Sequence, residues 1–202
     1  MNVATLRARL ARPTPPLASP AGDQSPAEHP GALARLGRPP SPAAVLMLLA
    51  VHADADLRLV LTQRSAALSE HAGQISLPGG RIEATDDSAR AAALREAHEE
   101  IGAKVEAIEL LAELPRYNTA TGYEITPIVA LTPPQVWRVD ESEVVDVFEV
   151  PLSHLLDTRR WRRDHLLVNG RERHYWAVPW RERYIWGATA GMLRMLCERL
   201  WS

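Results

Sequence analysis

Cysteine is nearly absent: Cys197 stands alone among 202 residues. That excludes an internal disulfide and any metal site built from several thiolates, and it points to a reducing compartment. An excess of either charge is missing too, with 23 Lys and Arg against 25 Asp and Glu and a formal net charge of -2. The broad basic surface that nucleic-acid binding calls for is therefore not expected. No apolar run approaches the roughly 20 residues of a membrane-spanning helix. The longest, "AAVLMLLAV" from Ala43 to Val51, reads as a buried strand. No apolar core of a secretion signal accompanies the arginines of "MNVATLRARLAR", and no internal repeat is evident. These absences lead to the expectation of a cytoplasmic protein without nucleic-acid or membrane partners, a homodimer being left open.

What is present divides the chain in two. Residues 1–42 read as a short amphipathic helix followed by a Pro/Ala-rich tether with many breakers and little periodicity. Residues 43–202, in a chain that is 46% hydrophobic, carry enough apolar sequence for one domain with a full core. Strands are expected in "AAVLMLLAV", "LRLVLTQ", "KVEAIELLAEL", "YEITPIVALT" and "VVDVFEVPL", and a hairpin in "DHLLVNGRERHYWAVPW" turning at Asn169-Gly170. Tyr175, Trp176 and Trp180 are assigned to its core, and a last helix near Ile185 to Leu200 buries Trp186, Met192, Leu193, Leu196 and Leu200. Many strands with two substantial helices indicate an α+β protein, an α/β/α sandwich on a mixed sheet.

The stretch "SLPGGRIEATDDSARAAALREAHEEIG" carries the chemistry. A helix from about Ser88 to Ile101 has an apolar stripe of Ala89, Ala92, Ala93, Leu94 and Ala97, a cap among Asp86, Asp87 and Ser88, and Gly102 at its C-terminal αL position. Glu96, Glu99 and Glu100 then share a neighbouring face close to the C-terminus, where like charges repel and carboxylates oppose the macrodipole. A hard divalent cation, Mg²⁺ or Mn²⁺, would turn that repulsion into coordination, and Arg95 is spaced to brace Glu99. A bare pair of glutamates is ordinarily a solvated helix face; the spacing of the whole stretch is more specific.

That spacing resembles the signature of the Nudix hydrolases, G-x5-E-x7-R-E-U-x-E-E-x-G-U with U a bulky apolar residue. Arg95, Glu96, Glu99, Glu100 and Gly102 fall on matching positions. Anchoring on Gly80 puts Asp86 in the upstream acid slot, in a loop one residue longer than the general pattern; counting back from Arg95 puts Asp87 there. Ala97 and Ala103 fill places usually given to larger apolar residues. Upstream, "LVLTQRSAALSEHAGQISLPGG" is similar to the additional motif of the coenzyme A pyrophosphatase subgroup, matching at Leu61, Thr62, Arg64, Ser65, Gly73, Pro78, Gly79 and Gly80. Ser69 replaces that motif's second arginine, and Leu77 the residue before Pro78. "ERYIWGATAGML" resembles a further segment of the subgroup, so the likeness runs from about Ala43 to Leu196.

The resemblance implies Mg²⁺- or Mn²⁺-dependent hydrolysis of the pyrophosphate in coenzyme A or its thioesters, giving 4'-phosphopantetheine, or its acyl form, and adenosine 3',5'-bisphosphate. It implies Glu96, Glu99, Glu100 and Gly79 as metal ligands, Arg95 as their brace, and Arg64, His71, Gly73, Gly79 and Gly80 as substrate-binding residues. For the general base Glu143 is favoured, with Glu141 and Asp140 as rivals and Glu96 as an alternative. Other substrates remain open at this level: ADP-ribose, a dinucleotide, a nucleoside triphosphate, or a nucleotide bound without cleavage. The basic run Arg159 to Arg163 reads as a solvated loop, with contact to a phosphate or base as the alternative. Tyr175, Trp176 and Trp180 have adenine stacking as an alternative to their core role, and Cys197 reads as a packing residue of the last helix.

Overall fold

The computed structural model describes residues 1–13, 39–53, 56–66, 72–119, 121–168 and 171–201. The tether from residue 14 to residue 38, the turn residues Asn169 and Gly170, and Ser69 and His71 lie outside them. In chain order the elements are α1 (Val3–Leu10), β1 (Ser41–Val51), β2 (Leu57–Arg64), β3 (Ile75–Ser76), β4 (Gly79–Arg81) and α2 (Ala89–Ile101). β5 (Glu109–Glu113), β6 (Tyr117–Asn118), β7 (Tyr123–Thr132) and β8 (Val144–Pro151) follow. The chain ends with α3 (Leu152–Leu156), β9 (Arg162–Val168), β10 (Arg171–Trp180), β11 (Arg183–Trp186) and α4 (Gly187–Trp201).

An apolar run without alternation suits a strand covered on both faces, and β1 is that strand. It lies parallel to β7 and antiparallel to β2 and β4 in an eight-stranded mixed sheet, with β8 and β3 on β2, and β5 and β6 on β7. Its side chains separate by parity. Ala44, Leu46, Leu48 and Ala50 pack with Ala92, Ala93, Ala97 and Ile101 of α2. Val45, Met47 and Leu49 pack on the other side with Leu193, Leu196 and Leu200 of α4. Each of these leucines contributes about 1.5–3 kcal/mol through burial. The alanines of α2 let the helix lie close to the sheet, the physical role of the small residues at Ala97 and Ala103. The result is the mixed-sheet α/β/α sandwich expected from the sequence.

Helix α2 begins at Ser88, whose hydroxyl accepts the Ala91 N–H at 3.2 Å, and ends at Gly102 with φ 63°, whose N–H reaches the His98 carbonyl. Both ends follow the ordinary chemistry of helix caps. Helix α1 buries Leu6 and Leu10 in the α4 side of the core. Arg199 of α4 donates to the carbonyls of Leu10 and Pro13 at 3.0 and 2.9 Å and also to that of Arg12, satisfying acceptors that the end of α1 leaves free.

Three expectations need correction. The strand expected from Lys104 starts only at Glu109, because Val105–Ala107 form a 3-10 turn. Ile185 and Trp186 belong to β11 rather than to the last helix: their backbones are committed to the ladder with Val178 and Ala177 of β10. In the hairpin β9–β10, Trp176 and Trp180 pack on the core, but Tyr175 faces a cavity. The basic run read as a solvated loop does keep its arginines exposed, but it forms a 3-10 turn over Thr158–Arg160 and the start of β9. Arg159 and Arg160 pair with Asp157, while Trp161 is buried and donates its indole N–H to the Leu155 carbonyl. Cys197 is fully buried, and burial pushes its thiol up to about 12. No helix among the described residues is long and apolar enough to cross a membrane.

One contact in this core has a large mutational consequence. A Cβ at Gly191 would lie 2.2 Å from the Tyr117 hydroxyl and 2.7 Å from its ring. Gly191→Ala is expected to destabilise the protein by about 1–3 kcal/mol through overpacking, and a thermal melt should show a midpoint lower by several degrees.

Candidate active site

Four segments converge on a cavity of about 740 Å³: the end of β2, the turn into β4, the last turns of α2, and the loop before β8. Arg64, Gly79, Gly80, Arg95, Glu96, Glu99, Glu100 and Glu143 all line it. Gly73 lines a smaller adjoining cavity instead, sharing with the first a wall of Gln74, Ile75 and Trp186. His71 lies outside the described residues.

The loop is placed by α2 itself. Arg138 N–H and Asp140 N–H donate to the carbonyls of Ile101 and Glu100 at 2.9 and 3.0 Å, docking the loop on the end of the helix. The Asp140 carboxylate accepts the Ser142 N–H at 2.9 Å and its hydroxyl at 2.6 Å, so Asp140 shapes the turn rather than the cavity. The Glu143 carbonyl accepts the Ser65 N–H at 2.8 Å, tying the loop to the residue after Arg64. Of the three acids in this loop, Glu143 is the one that lines the cavity.

The glutamates do not form one uniform face. The Glu100 side chain is only 2% exposed, whereas that of Glu99 is 55% exposed on the margin. Glu100 accepts the Gly79 N–H at 3.2 Å and lies 3.5 Å from the Arg64 guanidinium. Burial nevertheless pushes its carboxyl up to about 8, opposed by Gly79 and Arg64 and reinforced by Glu96 and Glu143. Glu96 is also raised, by burial first and then, against the lowering effect of Arg95, by Glu99 and Glu143. Glu96, Glu100 and Glu143 thus repel one another in a poorly solvated place.

Arg95 organises the rim. Its Nε and Nη2 donate to the two oxygens of Asp86, both at 3.0 Å, Nη1 donates to Glu99 at 2.8 Å and Glu96 at 3.1 Å, and Nη2 also reaches the Arg81 carbonyl at 3.1 Å. Asp86, not Asp87, therefore occupies the upstream acid slot, and the bidentate pair holds its carboxyl below the usual range. The guanidinium is held still more firmly in its charged form by the same hydrogen bonds. An ammonium cannot serve four acceptors in this fork geometry. Arg95→Lys is expected to lower kcat/KM by about 10- to 100-fold, measured at saturating Mg²⁺ with the fold checked by circular dichroism.

Among the described residues no set of three acids, histidines or cysteines closes on a point as a finished metal site, because Arg95 engages Glu96 and Glu99. The donor set nevertheless fits a hard divalent cation. It is all carboxylate oxygen, it carries more negative charge than Arg64 and Arg95 neutralise, and a Cβ at Gly80 would sit 2.4–2.7 Å from the Glu96 carboxylate, so only glycine leaves that group its place. In addition, the buried Nε of Arg64 has no hydrogen-bond partner. Gly79 shows its N–H to Glu100; this is the contact observed for a residue expected to act as a ligand.

Sequence reading did not place Thr119, Tyr123, Arg173 and Trp186 in this cavity, and considered Tyr175 only as an alternative for stacking on adenine. Alternation in "RERHYW" places Arg173 and Tyr175 on one face of a strand, but nothing local says that this face meets the carboxylates.

Comparison with known proteins agrees with this geometry. The NUDIX domain model matches residues 40–175. An uncharacterized Nudix hydrolase, NudL, of Escherichia coli (strain K12) is 44% identical over 144 residues, which cover 70% of this chain and 74% of the relative. NudL of Salmonella newport (strain SL254) is 43% identical over the same length and coverage. The crystal structure of RenU, a Nudix hydrolase from M. smegmatis, shares the fold with a TM-score of 0.50 at 22% identity, over 59% of this chain and 76% of that one. With the matched domain model covering most of the chain and the signature residues gathered in one cavity, the protein belongs to the Nudix hydrolase family.

Proposed function

We propose that this protein is a cytoplasmic, Mg²⁺- or Mn²⁺-dependent diphosphohydrolase that cleaves the pyrophosphate of coenzyme A or its thioesters, releasing 4'-phosphopantetheine, or its acyl form, and adenosine 3',5'-bisphosphate. The observation that carries the reading is the pairing of Arg64 with Glu100. It joins the segment similar to the coenzyme A pyrophosphatase motif to the general signature helix, in one cavity.

Glu96, Glu99 and Glu100 would hold the cation, which when bound neutralises phosphate charge and acidifies a water. Arg64, with its unpartnered Nε, donates to diphosphate oxygens. Glu143 accepts the proton of the attacking water as its oxygen bonds to phosphorus and the bridging P–O bond breaks, the leaving phosphate taking the electron pair. Gly80 keeps the approach to Glu96 open, and Arg95 with Asp86 holds the outer carboxylates in place.

The test is product analysis after incubation with coenzyme A, ADP-ribose and NADH, each with Mg²⁺, with Mn²⁺ and with chelator. Metal-dependent adenosine 3',5'-bisphosphate from coenzyme A, well above turnover of the other two, is expected. Faster cleavage of ADP-ribose or NADH would overturn the substrate and leave the chemistry, and cleavage in chelator would overturn the metal's role.

A further inference from the structure

Part of the cavity wall comes from the second sheet, β9–β10–β11. In that ladder Arg173 pairs with Leu166, and Tyr175 and Trp186 follow on the same face, with their rings 5.1 Å apart and edge-on. All four residues line the same cavity as Glu96 and Glu100.

Arg173 differs from the other arginines there. Arg64 is matched by Glu100, Arg95 by Asp86, and Arg81 donates to the Tyr123 hydroxyl at 2.9 Å. Arg173 is half-buried and meets no carboxylate among the described residues. A partly desolvated guanidinium without an anion is unfavourable, and its planar fork is suited to phosphate oxygens. The two aromatic rings beside it offer apolar surface to a nucleoside.

We infer that Arg173 forms a second anion subsite, which takes a phosphomonoester on the nucleoside half of the substrate while the diphosphate lies at the glutamates. This rests on the proposed diphosphohydrolase reading and narrows it. The preferred substrate class is a nucleoside diphosphate derivative that carries a further phosphate away from the scissile bond. Arg173 is then a specificity residue and takes no part in bond cleavage.

Two measurements test it. Coenzyme A and 3'-dephospho-coenzyme A differ by one phosphomonoester. Arg173→Gln is expected to lower kcat/KM for coenzyme A by 10-fold or more, mainly through KM, to leave 3'-dephospho-coenzyme A within about twofold, and to be partly rescued in Arg173→Lys. Equal loss on both substrates, or loss on neither, overturns the subsite. Calorimetric titration of the metal-free protein with adenosine 3',5'-bisphosphate and with AMP needs no turnover. The bisphosphate should bind the native protein at least 10-fold more tightly, and Arg173→Gln should abolish that preference. If the native protein does not discriminate, or the variant discriminates equally well, the subsite is wrong whatever the enzyme cleaves. If the preference is present but coenzyme A is not cleaved, the subsite stands and the coenzyme A reading falls.

Discussion

Glutamine in place of Glu100 is expected to reduce kcat by about 10²- to 10³-fold at saturating Mg²⁺ while the metal-free protein melts no lower than the native chain. The two halves of this expectation have separate causes. Lewis-acid stabilisation by a bound cation is worth several kcal/mol, and each 1.36 kcal/mol is a factor of ten in rate. Removing one anionic ligand therefore forfeits about two or three such factors. Stability behaves differently because the Glu100 carboxylate is 2% exposed and its charge is disfavoured there. An amide of the same shape still accepts the Gly79 N–H and offers its oxygen to Arg64, without the charge that burial disfavours. The measurements are steady-state turnover with Mg²⁺ and a thermal melt in chelator. Unchanged turnover would exclude Glu100 as a ligand, and a collapse of both quantities would make it a structural residue.

The second large effect separates two adjacent glycines. Gly79→Ala is expected to abolish folding or to cost about 3 kcal/mol or more. Gly79 has φ 149°, and an added Cβ would lie 2.3 Å from the Ala44 carbonyl oxygen and 2.6 Å from the Val45 Cα, both backbone atoms of the central strand β1. That strand is clamped between two layers and cannot retreat. At Gly80 the added Cβ would meet only the flexible end of Glu96. Gly80→Ala should therefore fold with a melting point near native and lose about 10-fold or more in kcat, because the Glu96 carboxylate is displaced. Chemical denaturation and turnover on both variants check the contrast. Two equally stable proteins would mean that β4 does not hold its close pairing with β1 in solution.

The arrangement also explains how α2 can carry so much negative charge. Arg95 draws Asp86, Glu96 and Glu99 together from one side and Arg64 meets Glu100 from the other, so repulsion is shared among fixed cations before any metal arrives. Glu96 and Glu99, which would hold the cation in the proposed reading, are both engaged by Arg95 in this structure. That is a physical reason for an arginine, rather than a second buried carboxylate, at the hinge of the cluster.

Sequence alone determined whatever depends on period and on neighbouring residues. The unbroken apolar run of β1, the strands β7 and β8, the Ser88 cap, the αL glycine at Gly102 and the clustering of Glu96, Glu99 and Glu100 all follow from local spacing, because caps and helix faces are set within a few residues. Tertiary structure decided what depends on distant segments meeting. Pairing of β2 with β8 brings Arg64 and Glu143 to the same end of the sheet, and the bidentate contact with Arg95 selects Asp86 over Asp87. The ladder with β10 holds Trp186 in a strand, and packing of the second sheet brings Arg173 and Tyr175 into the same cavity as the glutamates. These outcomes come from long-range pairing and burial, to which no short window of residues is sensitive. Sequence spacing therefore marks out the carboxylates, while the packing of the second sheet supplies part of the cavity that they share.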